Sequence, residues 1–197
     1  MGTSVGSALG IKAAVGITAW DALATTLGSL VNIKIGTVGM LLNTVCFSLQ
    51  IILLKREFKK TQYLQLLVTA LIGVVVNYTL YDLLVFDLPS YGIRIGLIIL
   101  SFIIMAFFTG IVMSINLITF PLEGLVMAIA IKCNINFAYL RQITDFICLT
   151  ICIVLPLILS SDFAIREGTI IGMLSFGPLL GWFMKVQKPF LVRQKLI

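Results

Sequence analysis

Of the 197 residues, 60% are hydrophobic and 11% charged, the net charge is +6, and histidine is absent. Soluble domains carry about 25% charged residues, so this chain has too little polar surface to cover a water-soluble globule. A soluble fold is excluded, and so is a nucleic-acid face, because the cations gather in short stretches between apolar runs. The expected fold is all-α, a polytopic membrane protein forming a single integral membrane domain over 1–197.

The opening residues, MGTSVGSALGIKAAVG, do not read as a cleavable signal peptide, because no basic stretch precedes the apolar one. A first span is drawn at Thr3–Gly16, shorter than the ~17 to 25 residues a crossing needs. Gly2, Gly6, Gly10 and Ala14 recur along it at every fourth position. Such a ridge lets another helix approach closely, either a neighbouring span or a docking subunit. Lys12 would snorkel to the inner side or pair with Asp21 or Asp145.

Trp20-Asp21 interrupts the apolar pattern, and Ala22–Val31 is too short to cross. Two readings stay open. The segment is a re-entrant half-helix with Asp21 at its positive dipole end, or an interfacial anchor with Trp20 at headgroup level. A second span, Ile35–Leu54, carries Asn43 and ends in the basic loop KREFKK. Tyr63–Val85 and Ile93–Ile118 form the third and fourth spans, with Asn77 and Asn116 as their polar residues. Pro121 breaks the chain again, and Leu122–Cys133 reads as a second half-helix led by Glu123. The fifth span, Phe137–Leu159, places Arg141 and Asp145 four residues apart on one face. That pair is either a functional site or a structural ion pair near the inner membrane edge. A short sixth span, Thr169–Met184, precedes a basic tail over 185–197.

An offset of 102 residues aligns 19–39 with 121–141, setting Asp21 on Glu123 and Asn32-Ile33 on Asn134-Ile135. Each copy runs from a span through an acidic tripeptide and a short apolar segment to "NI" and the next span. Three spans per half is an odd number, so the halves, 1–90 and 91–184, are expected to be inverted repeats. Lys55, Arg56, Lys59 and Lys60 fall on the same side as Lys185, Lys188, Arg193 and Lys195. The positive-inside rule makes that side, and both termini, cytoplasmic, with some added attraction to anionic lipid.

No zinc motif, phosphate loop, nucleophile elbow or channel filter is present, so no enzyme, metal or cofactor is expected. Cys148 and Cys152 share a helix face as small apolar packers. Asn43, Asn77, Asn116, Arg141 and Asp145 are expected to line one central cavity, with Trp20, Asp21 and Glu123 at its edge. Each asparagine could instead serve as interhelical glue, and Tyr78, Tyr81 and Tyr139 suit the interfacial belt better than a cavity wall.

The stretch ALGIKAAVGITAWDAL, IGT at 35–37, the R-x-x-x-D of Arg141 and Asp145, GT at 168–169 and GP at 177–178 together resemble the YczE/YyaS/AitT group of bacterial membrane proteins. Ala19 stands where that group has Pro, and Glu123 where its second copy has Asp. The resemblance implies a multipass protein of the bacterial cytoplasmic membrane and little chemistry. The format also resembles the S components of energy-coupling factor vitamin transporters, which dock on a transmembrane subunit through small residues of the first span. The expectation is therefore transport of a small solute, such as a vitamin. The chain would act as an S-component-like subunit with a transmembrane coupling subunit and ATPase partners, or as a stand-alone carrier. The alternative is a non-transporting accessory or regulatory protein that works through helix–helix contacts along the Gly2/Gly6/Gly10/Ala14 ridge.

Overall fold

The computed structural model describes residues 1–58, 60–115, 119–159 and 163–193. The described residues form eight α-helices and no strand: α1 (Gly2–Ala13), α2 (Ala19–Val31), α3 (Ile35–Leu54), α4 (Leu64–Tyr78), α5 (Tyr91–Ile115), α6 (Pro121–Cys133), α7 (Phe137–Leu159) and α8 (Glu167–Arg193). A π-turn, Thr79–Leu83, extends α4.

Five stretches are long and apolar enough to cross a membrane: Ile35–Leu54, Thr61–Leu83, Tyr91–Ile115, Tyr139–Leu159 and Glu167–Arg193. The protein is a polytopic membrane protein. All five lie among the six expected spans, and α1, at the first expected span, has 12 residues, about 18 Å of helix against a hydrocarbon core of about 30 Å. The last span is longer than expected, since residues 185–193 of the basic tail continue α8 through Pro178 and Pro189.

Local chemistry sets the two half-helices. The Thr18 hydroxyl caps α2 by accepting from the Asp21 N–H, and Pro121 opens α6 at a position where no N–H is needed. Asn32 and Asn134 end them with the same backbone, φ 54° and ψ 42°. Asparagine tolerates this left-handed conformation, which lets the next N–H turn back: Ile33 donates to Gly28 O and Ile135 to Ala130 O, both at 3.0 Å. The "NI" signature is thus a helix-stop motif used twice.

α2 and α6 have 13 residues each, and α3 and α7 follow at the same 102-residue offset. Packing repeats as well: α1 lies against α5, α2 against α7 and α6 against α3. Exchanging the halves maps this set of pairs onto itself, as a pseudo-two-fold relation requires.

Glycines set the closest approaches. A methyl group on Gly2 would collide with Phe108, on Gly6 with Met105 and on Gly10 with Ser101, so α1 runs antiparallel to α5. Ser101 Oγ donates to Gly6 O at 2.7 Å across this seam. The structure therefore uses Gly2, Gly6 and Gly10 for internal packing, while Ala14 is exposed as the left-handed cap of α1. Gly36 meets Gly73 where α3 crosses α4. Gly16, at φ 140°, and Gly168 press backbone on backbone, with Gly168 N–H donating to Val15 O at 2.8 Å.

Candidate functional site

The ionic residues of α6 and α7 converge. Arg141, one turn into α7, pairs with Asp145 on the next turn and faces Glu123 of α6, Nε to Oε1 3.8 Å. The three side chains are 22%, 22% and 20% exposed, so all three are largely withdrawn from the surface. One guanidinium thus serves two carboxylates. With all three ionised the cluster carries one excess negative charge, and Glu123 is the more loosely held partner. Such a cluster can accept a proton or a cation. It can also exchange Glu123 for an anionic group from outside, because a guanidinium binds carboxylate or phosphate with equal geometric ease.

At the offset positions the first half carries Asp21, Gly39 and Asn43 instead of Glu123, Arg141 and Asp145. Among the described residues no cation pairs with Asp21. Its oxygens accept from Ser7 Oγ at 2.9 Å and Thr18 Oγ1 at 2.8 Å. Burial pushes this carboxyl above the usual carboxylate range, against the lowering effect of the Thr18 and Ser7 hydrogen bonds. Lys12 lies over the Phe86 ring, 5.8 Å from its centroid, and pairs with neither Asp21 nor Asp145.

Cys46 and Cys148 are buried at equivalent positions of α3 and α7. Trp20 packs against both apolar clusters, the larger one holding Cys148 and Cys152 and the smaller one Cys46, Leu122 and Val126. Asn43 is buried nearby on the α3 face that carries Cys46 and Gln50. Trp20, Asn43, Glu123, Arg141 and Asp145 therefore belong to the seam between the halves.

The other expected members lie elsewhere. Asn77 braces α4 to α3: its Oδ1 accepts from Gly36 N–H and its Nδ2 donates to Thr37 Oγ1, both at 2.9 Å. This satisfies an otherwise orphaned N–H at the start of α3, and Tyr81 Oη accepts from the neighbouring Ile35 N–H at 3.3 Å. The asparagine took the glue role because the first turn of a helix always offers such donors. Asn116 lies outside the described residues. Tyr78, Tyr81 and Tyr139 are exposed, which suits an interfacial belt. Two cavities lie away from the cluster, one at the end of α6 and the other where the turn between α1 and α2 meets the residues before α8. One, of about 520 Å³, is lined by Leu53, Leu54, Lys55, Ala128, Ile131 and Lys132. The other, of about 160 Å³, includes Ile17, Thr25, Phe163, Ala164 and Arg166.

Sequence reasoning passed over Gln50 and Gln65, both fully buried. Gln50 Nε2 donates to Pro121 O at 2.7 Å and to Gln65 Oε1 at 3.2 Å, and Gln65 Nε2 donates to Thr119 Oγ1 at 3.1 Å. This amide chain ties the start of α6 to α3 and α4. The signal was available, since a glutamine inside an apolar span needs a partner as much as an asparagine does.

A family model described as a family of unknown function (DUF6198) matches residues 1–185. No curated protein and no solved structure matches the chain.

Proposed function

Since the chain belongs to the DUF6198 family, whose function is unknown, we propose from its own geometry that it carries a small solute across the bacterial cytoplasmic membrane. The observation behind this reading is the Glu123–Arg141–Asp145 cluster at the seam between repeated halves. Ionic side chains are costly in a lipid-facing bundle and mark solute or ion paths when kept there. Transporters built from inverted repeats hold their sites at the repeat interface, beside broken helices. Here α6 supplies one carboxylate of the cluster from the first turn of such a short helix.

In this reading Arg141 holds an anionic group of the solute, Asp145 keeps the guanidinium oriented, and Glu123 is the partner that gives way. Asn43 supplies a hydrogen bond and Trp20 a flat apolar wall. A micronutrient such as a vitamin fits these contacts. The work would be that of an S-component-like subunit served by a transmembrane coupling subunit and ATPase partners, or of a stand-alone carrier. The likeness to the YczE/YyaS/AitT group is compatible with either. In this reading the KREFKK loop and the basic end of α8 face the cytoplasm.

Mass spectrometry of small molecules retained by the purified protein tests this. A retained molecule present with the wild-type chain and lost with Arg141→Ala, both variants eluting as folded protein, is the expected result. Identical retained sets would remove the transport reading and leave the accessory one, contact with other membrane proteins.

A further inference from the structure

The larger cavity stands apart from the ionic cluster and has a charge pattern of its own. Leu53 and Leu54 from the end of α3 and Ile131 of α6 give it an apolar wall, while Lys55, Glu57 and Lys132 line it with charge. Leu54 is the last residue of a helix long and apolar enough to cross the membrane. The apolar wall therefore ends, and the cations begin, at the level where hydrocarbon gives way to head groups.

Both lysines are held in place. Lys132 Nζ donates to Leu53 O at 3.4 Å, among the carbonyls that the last turn of α3 leaves without a helical partner. An ammonium has three donors, so this bond fixes the stem and leaves donors for an anion. Lys55 closes α3 at φ 47°, a backbone that L side chains seldom adopt. The turn after it is pinned from behind. Phe58 N–H donates to Lys55 O at 3.4 Å, and the Phe58 ring meets Phe47 and Tyr63 edge-on, centroids 5.6 and 5.4 Å away. Residues kept in such conformations by their surroundings concentrate at ligand sites.

The internal repeat does not account for these charges. At the 102-residue offset Lys55, Glu57 and Lys132 meet Leu157, Leu159 and Leu30. Exposed apolar rows also lead away from the cavity. Val45 and Leu49 lie two turns and one turn before Leu53 on α3, and Met127 lies one turn before Ile131 on α6. Both rows run from the charged end toward the membrane interior. A hydrophilic solute has no use for them, whereas an acyl chain does. At about 520 Å³ the cavity itself falls within the roughly 300–1,000 Å³ of small-molecule sites.

We infer that this cavity binds the head group of an anionic phospholipid, its phosphate on Lys55 and Lys132 and its acyl chains along Val45, Leu49 and Met127. Glu57 narrows the class, because a carboxylate accepts from a glycerol hydroxyl and repels a second phosphate. A phosphatidylglycerol-like lipid fits best. In the orientation proposed above, the cavity opens on the cytoplasmic leaflet, whose surface is negative.

Native mass spectrometry of the purified chain, titrated with dioctanoyl phosphatidylglycerol, tests the site. Lys55→Gln with Lys132→Gln is expected to weaken binding about tenfold to thirtyfold. Lys185→Gln with Lys188→Gln removes the same charge from the end of α8 and is expected to leave affinity within about twofold. Ile131→Trp, which fills the cavity and keeps every charge, weakens binding as well and serves should the first pair fold poorly. Equal loss in the two lysine pairs would make the attraction diffuse. Equal binding of dioctanoyl phosphatidylcholine would take away the need for an anion, and glycerol 3-phosphate binding as tightly as the lipid would make this a free-anion site. Each of these results overturns the inference. Arg141→Ala should leave lipid binding unchanged, so the lipid site and the solute reading stand or fall separately.

Discussion

Gln50 Nε2 donates to the carbonyl of Pro121 at 2.7 Å, across two helices that no loop joins directly. Pro121 opens α6, so this bond fixes where the half-helix starts against α3. Gln50→Leu would remove the tie to the Pro121 carbonyl and strand the Gln65 Oε1 in an apolar interior. The expected cost is about 1–3 kcal/mol, seen as a lower midpoint in detergent unfolding. Faster maleimide reaction at Cys133 should accompany it, because α6 is less firmly held. An unchanged midpoint would mean that the amide chain does not hold α6.

Arg141 stands between Glu123 and Asp145. Arg141→Ala leaves both carboxylates without their cation, and breaking such a pair costs on the order of 3 kcal/mol when buried, somewhat less at one-fifth exposure. Replacing the whole cluster, with Glu123→Gln, Arg141→Met and Asp145→Asn together, should restore stability close to wild type but not solute retention. Recovery of both would make the cluster a structural device.

Asp21 gives a pH signature. Its folded-state carboxyl is held above the ordinary range, chiefly by burial. The associated stability is complete below the unfolded value, about 3.9, and is lost as pH rises through the higher folded value. Asp21→Asn should flatten that part of the melting-temperature curve and melt no lower than wild type at neutral pH. A curve parallel to that of wild type would count against the shift.

Gly16 and Gly39 should respond oppositely to alanine. Gly16 sits at φ 140°, where a methyl group would strike the backbone of Thr169. Strain and overpacking of about 2 kcal/mol or more are expected for Gly16→Ala. Gly39, the counterpart of Arg141, has nothing within 4 Å of such a methyl. Gly39→Ala should be neutral or stabilising by up to about 1 kcal/mol. Paired thermal melts decide this.

Several short motifs become physical once the helices are packed. IGT at 35–37 places Gly36 against Gly73 and gives Thr37 to Asn77. GT at 168–169 places Gly168 on Val15, and Thr169 Oγ1 accepts from Ile17 N–H at 3.3 Å. Both motifs are close crossings closed by a hydroxyl, and neither is a site. GP at 177–178 has no such reason, since Gly177 faces open space.

Membrane class, the positions of the long helices, the two broken segments and their shared Asn-Ile stop were legible from the chain alone. Each follows from local terms: length against bilayer thickness, proline and asparagine backbone preferences, and the scarcity of charge. The partner choices were not. Whether Arg141 meets Glu123, whether Asn77 lines a space or braces a helix, and which helix covers Gly2, Gly6 and Gly10 depend on contacts between residues 18 to 106 positions apart. Periodicity puts a residue on a face of its own helix, and only packing decides which neighbour that face meets.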